Sequence, residues 1–210
     1  MTAGVGQSLI PMTKVVADIT MSLDGYVTAP DAGPGQGLGR NGLPLHDWAI
    51  GESSEEDRAV LQRATRRTGA VVMGRRTLDV VDGPTGWNEQ RDYGAGERPA
   101  KLPPVFVVTH KPPNQVRLQR VFTFVTTGVQ DAIDRARSAA GERDVVVMGG
   151  GQVVWQAVRD GLIDELVLHV SPILLGGGTR LWEPDGAIRR WRQQDVVVSP
   201  LAIHVTYVPR

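Results

Sequence analysis

Short, almost wholly apolar segments alternate with helical patterns along this chain, and that alternation limits the fold more than any other feature. Six segments have the apolar, β-branched character of strands: 14–20, 70–74, 104–110, 121–125, 145–148 and 165–175. Helical spacing lies between them at 53–69, at 127–141 and in the segment that ends near Asp160. Strands that are apolar on both faces are typical of parallel sheets with helices on both sides. The alternation therefore predicts an α/β fold with a mainly parallel sheet.

The C-terminal end breaks this alternation. The segments VVVS (196–199) and IHVTYV (203–208) are separated by a short turn at Pro200 and predict an antiparallel hairpin. No internal repeat or linker divides the chain, so residues 13–210 are predicted to form a single domain. Residues 1–12 carry no strand or helix pattern and are predicted to be a flexible N-terminal tail.

The helix predicted at 53–69 has clear boundary signals. Ser53 and Glu56 form a capping-box pattern, and Gly69 suits the position just after the helix. The Gly- and Pro-rich segment that precedes this helix, 22–44, is predicted to be mostly loop.

Composition and charge exclude several classes of protein. Lys+Arg and Asp+Glu both number 23, so no overall field attracts nucleic acid or an anionic membrane. The absence of cysteine excludes disulfides, thiolate zinc sites and cysteine nucleophiles, and the four histidines have no metal-binding spacing. The N-terminus lacks a secretory signal pattern, and no segment approaches the roughly 18 apolar residues of a membrane span. We therefore expect a cytoplasmic protein without metal, nucleic-acid or membrane partners.

A glycine triplet joins a strand to a helix in VVVMGGGQVV, residues 145–154. Glycine inside an element costs about 0.5–1 kcal/mol relative to alanine, so three together indicate a very close backbone approach. The free N–H groups at a helix N-terminus favour a phosphate, whereas the alternative is a tight strand-to-helix turn. The P-loop pattern is absent, and Val154 stands where the Rossmann pattern needs its third glycine.

Two further strand ends carry small, basic and hydroxyl side chains. They are Gly74, Arg75, Arg76 and Thr77 in VVMGRRT, and Thr109, His110 and Lys111 in VVTHK. Thr77 is also a candidate cap for a short helix, and the alternative for both ends is an ordinary polar surface. Because the carboxyl ends of parallel strands meet at one edge of a sheet, the three ends together predict a nucleotide with several phosphates, such as NADPH.

Five segments occur in order between about Lys14 and Val208: DITMSLDGYVT, VVMGRRT, PVFVVTH, VVVMGGGQVVWQAVRDGLIDEL and VSPILLGGGTRLW. In these segments the chain resembles the dihydrofolate-reductase-like superfamily. It is similar in particular to the reductase domain of bifunctional riboflavin-biosynthesis proteins and to its stand-alone relatives. The resemblance implies a three-layer sandwich with a mainly parallel eight-stranded sheet and a C-terminal antiparallel hairpin. It also implies a homodimer, for which the hairpin and the apolar segment 165–175 offer a sheet edge.

The resemblance also implies which residues bind ligands. Cofactor contacts fall on Ala17, Thr20, Gly74, Arg75, Arg76, Thr77, Thr109, His110, Lys111, Gly149, Gly150, Gly151, Gln152 and Val153. Substrate contacts fall on Ser22, Leu23 and Gly25 and, on the opposite wall, on Leu174, Leu175 and Gly176. Three residues keep two interpretations each: Asp24 as catalytic group or turn residue, Asp57 as substrate ligand or helix-dipole partner, and Trp48 as pocket wall or loop anchor.

These patterns predict an NADPH-dependent oxidoreductase that transfers a hydride to a small heterocyclic substrate. By resemblance, the nearest activity is that of 5-amino-6-(5-phosphoribosylamino)uracil reductase in riboflavin biosynthesis. The cysteines of the deaminase half of the bifunctional proteins are absent from this chain. A dihydrofolate reductase is one alternative, although no carboxylate matches its substrate-binding acid cleanly. A nucleotide-binding sensor without catalysis is the other.

Overall fold

A computed structural model of the chain describes residues 13–84, 86–88, 94, 102–118 and 122–210. The predicted tail at 1–12 lies outside the described residues, so its flexibility stays a prediction. Within the described part, no helix has both the length and the apolarity that crossing a bilayer requires.

The strands and helices follow each other in the predicted alternating order. The strands are β1 (Val15–Ser22), β2 (Tyr26–Thr28), β3 (Thr68–Gly74), β4 (Val105–Val108), β5 (Phe122–Val125), β6 (Asp144–Gly149), β7 (Glu165–Ser171), β8 (Thr179–Arg180), β9 (Trp191–Val198) and β10 (Ile203–Pro209). The helices are α1 (Asp47–Ile50), α2 (Glu55–Arg67), α3 (Arg75–Val81), α4 (Val129–Ala140) and α5 (Gly151–Arg159), and a 3₁₀ turn spans Leu43–His46.

Eight of these strands form one sheet in the order β5-β4-β3-β6-β1-β7-β10-β9. Neighbours from β5 to β7 are parallel, whereas β10 runs antiparallel to both β7 and β9. The short strands β2 and β8 pair separately. The predicted fold class, a mainly parallel eight-stranded sheet with a C-terminal antiparallel hairpin, is confirmed.

Alternate residues of the strands bury opposite faces of the sheet. Ala70 and Val72 of β3 belong to a large core that includes the apolar sides of α4 and α5. Val71 and Met73 belong to a second core with α3, and α2 packs on the same side of the sheet over β9 and β10. The result is the predicted three-layer arrangement, which follows from strands that are apolar on both faces.

Several local predictions are wrong by a few residues. The capping box of α2 consists of Ser54 and Asp57 rather than Ser53 and Glu56. Gly69 lies inside β3, where a Cβ would come within 2.4 Å of the Ala140 carbonyl oxygen. The loop predicted at 22–44 contains β2, because this segment finds a partner in β8, which is distant in the sequence.

The position of the sheet edge also differs from the prediction. The apolar segment 165–175 is a strand only as far as Ser171, and β7 is interior because β1 and β10 pair with its two sides. The edge at this end of the sheet is β9, which begins at Trp191 rather than at Val196. Val196 and Val198 of β9 and the neighbouring Ile203 of β10 are exposed apolar residues.

Charged side chains fix the amino ends of β1, β6 and β7. Arg67 at the end of α2 binds Asp144 and Glu165, each through an N···O contact of 2.8 Å, and Lys14 also binds Glu165. Burial opposes the charge of Glu165, but these two cationic partners outweigh it and lower the pKa of the carboxyl. The three strands are thereby held together at their amino ends, whereas β1 and β6 separate beyond Ala17.

Candidate functional site

A gap opens between two central strands at the carboxyl edge of the sheet. β1 pairs with β6 only from Val15 to Ala17, so the β6 side of β1 is unpaired from Asp18 onward. The glycine triplet follows β6 at this point. Gaps at the carboxyl edge are where open α/β sheets bind their ligands.

The glycine triplet packs closely against the ends of β3 and α3. Gly149 has φ +134°, a conformation that L side chains rarely adopt, and the Gly149–Gly150 peptide is cis. A Cβ on Gly74 would lie 2.9 Å from Val153 Cγ2 and 3.5 Å from the Gly150 nitrogen. The Thr77 hydroxyl is 3.4 Å from where a Cβ of Gly149 would be. The glycines thus bring β3, α3 and the start of α5 together.

The start of α5 offers free hydrogen-bond donors. Gly150 precedes the helix without a side-chain cap, and its carbonyl accepts from Val153 and Val154. Within the described part of the chain, the amides of Gly151 and Gln152 have no acceptor. Gly151 is buried against Val27, whereas Gln152 is exposed. Two free amides at a helix N-terminus beside a glycine cradle suit the phosphate groups of a dinucleotide.

The basic residues predicted for the cofactor lie at the ends of neighbouring strands, β3 and β4. Arg75 forms an ion pair with Asp79 and donates to the Lys111 carbonyl, which joins the two strand ends. Thr109 is buried, and its hydroxyl bonds the Lys111 backbone in a tight turn. Arg76 is exposed and forms no ion pair among the described residues, and the side chains of His110 and Lys111 are exposed too.

The start of α3 corrects one prediction. Gly74, not Thr77, occupies the N-cap position, and Thr77 lies in the first turn with its hydroxyl toward the glycine triplet. A cap needs extended backbone before the helix, and Gly74 has it with φ −86° and ψ 167°. Thr77 therefore faces the candidate cofactor site instead of closing its own helix.

Asp24 clamps the two segments predicted to contact substrate. One oxygen accepts from the Ser22 hydroxyl at 2.6 Å and from the Leu175 amide at 3.1 Å, and the other accepts from the Gly176 amide at 2.7 Å. The Ser22 hydrogen bond, together with the two amides, lowers the pKa of Asp24 to about 2. This carboxylate is ionised at neutral pH, so it is unsuited to donate a proton.

Exposed apolar side chains flank this clamp. Leu23 and Leu174 are large hydrophobic residues with 59% and 73% of their surface exposed. The Leu23 amide donates to the carbonyl of Ile173, which places both leucines at the same edge. Gly25 has φ +83°, which a turn after Asp24 requires. The turn and the carboxylate clamp therefore occur together, although the sequence presented them as alternatives.

Trp48 and Thr20 are buried rather than open to the gap. The Trp48 indole donates to the Thr20 hydroxyl at 3.1 Å, and its ring centroid lies 4.2 Å from that of His169. Asp57 is fully buried, accepts from the Ser54 amide and bonds His204. These contacts favour the loop-anchor interpretation of Trp48 and leave no exposed atom of Asp57 for a substrate. Ala17 is also fully buried, inside β1.

Sequence reasoning missed a group of polar residues next to Trp48. Asp18, His169 and His204 lie on adjacent strands, and His204 stands directly opposite His169 in the antiparallel pair. The sequence indicated only that the four histidines have no metal-binding spacing. The signal that could have found the group is a histidine in each of two predicted strands, 165–175 and 203–208, but the pairing of these two strands is not local in sequence.

Two cavities lie away from this edge. One, of about 520 Å³, is lined by Trp155, Trp182, Trp191 and Tyr207, and the other, of about 580 Å³, runs along α2. Neither includes the glycine triplet or Asp24. No group of three or more histidine or acidic side chains within the described ranges is arranged to hold a metal ion.

A parallel sheet with an antiparallel end strand and a glycine turn at its carboxyl edge defines the dihydrofolate-reductase-like class of α/β proteins. Residues 13–205 match the model of the RibD C-terminal domain family. The chain belongs to this family. No curated protein sequence matches the chain significantly.

Solved structures share the fold at low sequence identity. A Shewanella sp. PV-4 protein described as a candidate for riboflavin biosynthesis is 23% identical, with a TM-score of 0.69, over 94% of this chain and 99% of that one. Enterococcus faecalis dihydrofolate reductase complexed with NADP(H) is 18% identical, with a TM-score of 0.57, over 94% and 97%.

The Thermotoga maritima diaminohydroxyphosphoribosylaminopyrimidine deaminase/5-amino-6-(5-phosphoribosylamino)uracil reductase is 12% identical, with a TM-score of 0.63, over 95% of this chain. The present chain spans 57% of the length of that protein.

Proposed function

We propose that this protein is an NADPH-dependent reductase of a small heterocyclic substrate, of the type that acts in riboflavin biosynthesis. The observation that carries the proposal is the cradle formed by Gly74, Thr77 and the glycine triplet, with the free amides of Gly151 and Gln152 at its floor. Membership of the RibD C-terminal domain family supports the same activity. A reduced nicotinamide, when bound, supplies a hydride to a C=N or C=O carbon.

The residues of this chain would bind and orient the two ligands. The amides at the start of α5 would hold the pyrophosphate, and Gly74 would let it approach the backbone. Arg76, His110 and Lys111 would surround the 2′-phosphate. Asp24 would hold the segments 22–25 and 174–176 together, so that Leu23 and Leu174 cover the ring of the substrate and exclude water.

Replacing Arg76 tests whether this side chain binds the 2′-phosphate of NADPH. A charge-assisted hydrogen bond contributes about 1.5–3 kcal/mol, so we expect Arg76→Ala to weaken NADPH binding by about 10- to 100-fold. NADH lacks the 2′-phosphate, and its dissociation constant should change by less than about 3-fold. Titration of nicotinamide fluorescence measures both constants, with Arg135→Ala, which removes a surface arginine of α4, as the matched control. Equal losses for the two nucleotides would contradict a 2′-phosphate site at Arg76.

The tests must also distinguish two alternative functions, a dihydrofolate reductase and a nucleotide-binding sensor. A dihydrofolate reductase would need a carboxylate facing the pterin, and the burial of Asp57 removes the helix carboxylate considered for that role. A nucleotide-binding sensor would bind NADPH without oxidising it. Oxidation of NADPH by the pyrimidine intermediate or by dihydrofolate separates the three functions.

We also propose that the protein acts in the cytoplasm as a homodimer. Cysteine is absent, which suits a reducing compartment. The edge strand β9 exposes Val196 and Val198, and an exposed apolar edge is a surface that a second copy would cover.

A further inference from the structure

Four ionisable side chains form a continuous hydrogen-bonded chain across the α2 side of the sheet. His169 Nε2 lies 3.0 Å from Asp18 Oδ1, the Nδ1 atoms of His169 and His204 are 2.7 Å apart, and His204 Nε2 lies 2.9 Å from Asp57 Oδ1. The chain runs in this order because β1, β7 and β10 are neighbours in the sheet and α2 packs over them.

The number of protons in this chain follows from its geometry. Each of the three contacts needs one proton between its two atoms, and two neutral histidines with two ionised carboxylates supply only two. If each ring donated to its own carboxylate, two lone pairs would face each other across the 2.7 Å between the Nδ1 atoms. Turning either ring over would replace both of its nitrogen contacts by carbon atoms. The chain therefore holds a third proton.

The protein seals this chain from water except at Asp18. The Trp48 ring lies over both histidines, with centroid distances of 4.2 and 4.8 Å. The side chains of His169 and His204 are 2% and 3% exposed and that of Asp57 is fully buried, whereas 22% of the Asp18 side chain is exposed. A proton can therefore enter or leave the chain only through the Asp18 carboxyl.

Asp18 is also the member nearest to the candidate site. It is the first residue of β1 beyond the pairing with β6, so it borders the gap at the glycine triplet. Its second oxygen, Oδ2, has no hydrogen-bond partner among the described residues. When Asp18 holds the proton of this inward contact, rotation about its Cβ–Cγ bond presents that O–H to a ligand in the gap.

We propose that Asp18 donates the proton of the reduction and that the chain through His169, His204 and Asp57 stores it. This inference rests on the reductase function proposed above. Hydride adds to the carbon of the C=N or C=O bond, the π electron pair moves to the heteroatom, and the heteroatom takes the third proton from Asp18. Two protons stay on the histidines, and solvent returns one through Asp18 after product release.

The surroundings of His204 and Asp57 oppose extra protonation at the inner end of the chain. Burial, together with the neighbouring His169, lowers the pKa of His204. Burial also lowers the pKa of His46, in the 3₁₀ turn, to about 4, so His46 is neutral at pH 7 and does not compete for the proton. Burial opposes the charge of Asp57, but hydrogen bonds outweigh it and lower the pKa of that carboxyl. His46 from the 3₁₀ turn and Asp57 from α2 thus face the two histidines of the chain.

The stored proton can be measured without any ligand. In protein labelled with ¹⁵N-histidine, we expect a strongly downfield proton shared by the two Nδ1 atoms at pH 7. His204→Phe should abolish that signal, and Asp134→Asn, on the α4 side of the sheet, should leave it unchanged. Two neutral rings protonated only at Nε2 would overturn the proposal, whatever the activity of the protein.

Kinetics then test the donor. General acid catalysis contributes roughly 10²- to 10⁴-fold, so Asp18→Asn should lower kcat at least about 100-fold and remove the alkaline limb of the pH profile. His204→Phe should lower kcat less and shift that limb, because it shortens the chain without removing the donor. The NADPH dissociation constant should stay within about 2-fold in both variants, since neither side chain lies in the phosphate cradle.

The outcomes of these experiments distinguish a failure of the reductase function from a failure of proton donation by Asp18. An Asp18→Asn protein that binds NADPH and keeps the wild-type kcat and pH profile overturns the proton donor alone. A folded wild-type protein that binds no nicotinamide nucleotide overturns the reductase function and the donor with it. Loss of kcat in Asp18→Asn with an unchanged melting temperature and unchanged NADPH binding supports both.

Discussion

Replacing Gly74 by valine should abolish tight NADPH binding while the sheet stays folded. A Cβ at this position would already lie 2.9 Å from Val153 Cγ2, and the two γ-methyl groups of valine, restricted at χ1, add bulk at this contact. The start of α5 must therefore move, and the amides of Gly151 and Gln152 move with it. We expect a loss of about 100-fold in NADPH affinity, which corresponds to about 2.7 kcal/mol.

Two comparisons make this result specific. Gly35 has open space around a Cβ and no left-handed backbone, so Gly35→Val should leave NADPH binding unchanged. Gly74→Ala should lose less affinity than Gly74→Val, and adding Val153→Ala should restore most of it because the contacted methyl group is gone. A Gly74→Val protein that binds NADPH like the wild type would show that this cradle is only a tight turn.

Replacing Asp24 by alanine should raise the KM for the substrate about 10-fold or more and leave the pH profile of kcat unchanged. The substitution removes the acceptor of the Leu175 and Gly176 amides, and hydrogen bonds to a charged group contribute about 1.5–3 kcal/mol each. The segment 174–176 then loses its fixed position beside Leu23. Because the pKa of Asp24 is lowered to about 2, mainly by the Ser22 hydroxyl, this carboxylate stays ionised over the whole assay range.

The size and form of the effect separate a clamp from a proton donor. If Asp24 were the donor, kcat would fall by roughly 10²-fold or more and one limb of its pH profile would disappear. Asp195→Ala is the matched control, because Asp195 forms an exposed ion pair with Arg63, and such pairs contribute little. Loss of the limb in Asp24→Ala would contradict the assignment of proton donation to Asp18.

The strands of the sheet could be predicted because apolar runs and turn residues are local signals. Each predicted strand is present, and the error at the start of α2 arises because the competing caps, Ser53 and Ser54, are adjacent. The short strand β2 could not be predicted, since its stability depends on β8, about 150 positions later. The interior position of β7 likewise depends on a partner, β10, that no local pattern identifies.

The candidate site could be predicted in part for the same reason. Gly74 and the glycine triplet carry their own backbone requirements, so their convergence at one edge follows from a parallel sheet. The role of Asp24 depended on the loop that lies beside it, and the chain from Asp18 to Asp57 depended on the register of three strands and a helix. Such features need side chains from distant segments, which a pattern in one segment does not specify.

The most direct test of the account is a titration of the purified protein with NADPH and with NADH, followed by nicotinamide fluorescence, with the pyrimidine intermediate and dihydrofolate then added separately. The account predicts NADPH binding at least about 10-fold tighter than NADH binding, a difference of about 1.4 kcal/mol, and oxidation of NADPH by the pyrimidine. Failure of the folded protein to bind either nucleotide would contradict it, because the glycine triplet would then be only a turn between β6 and α5.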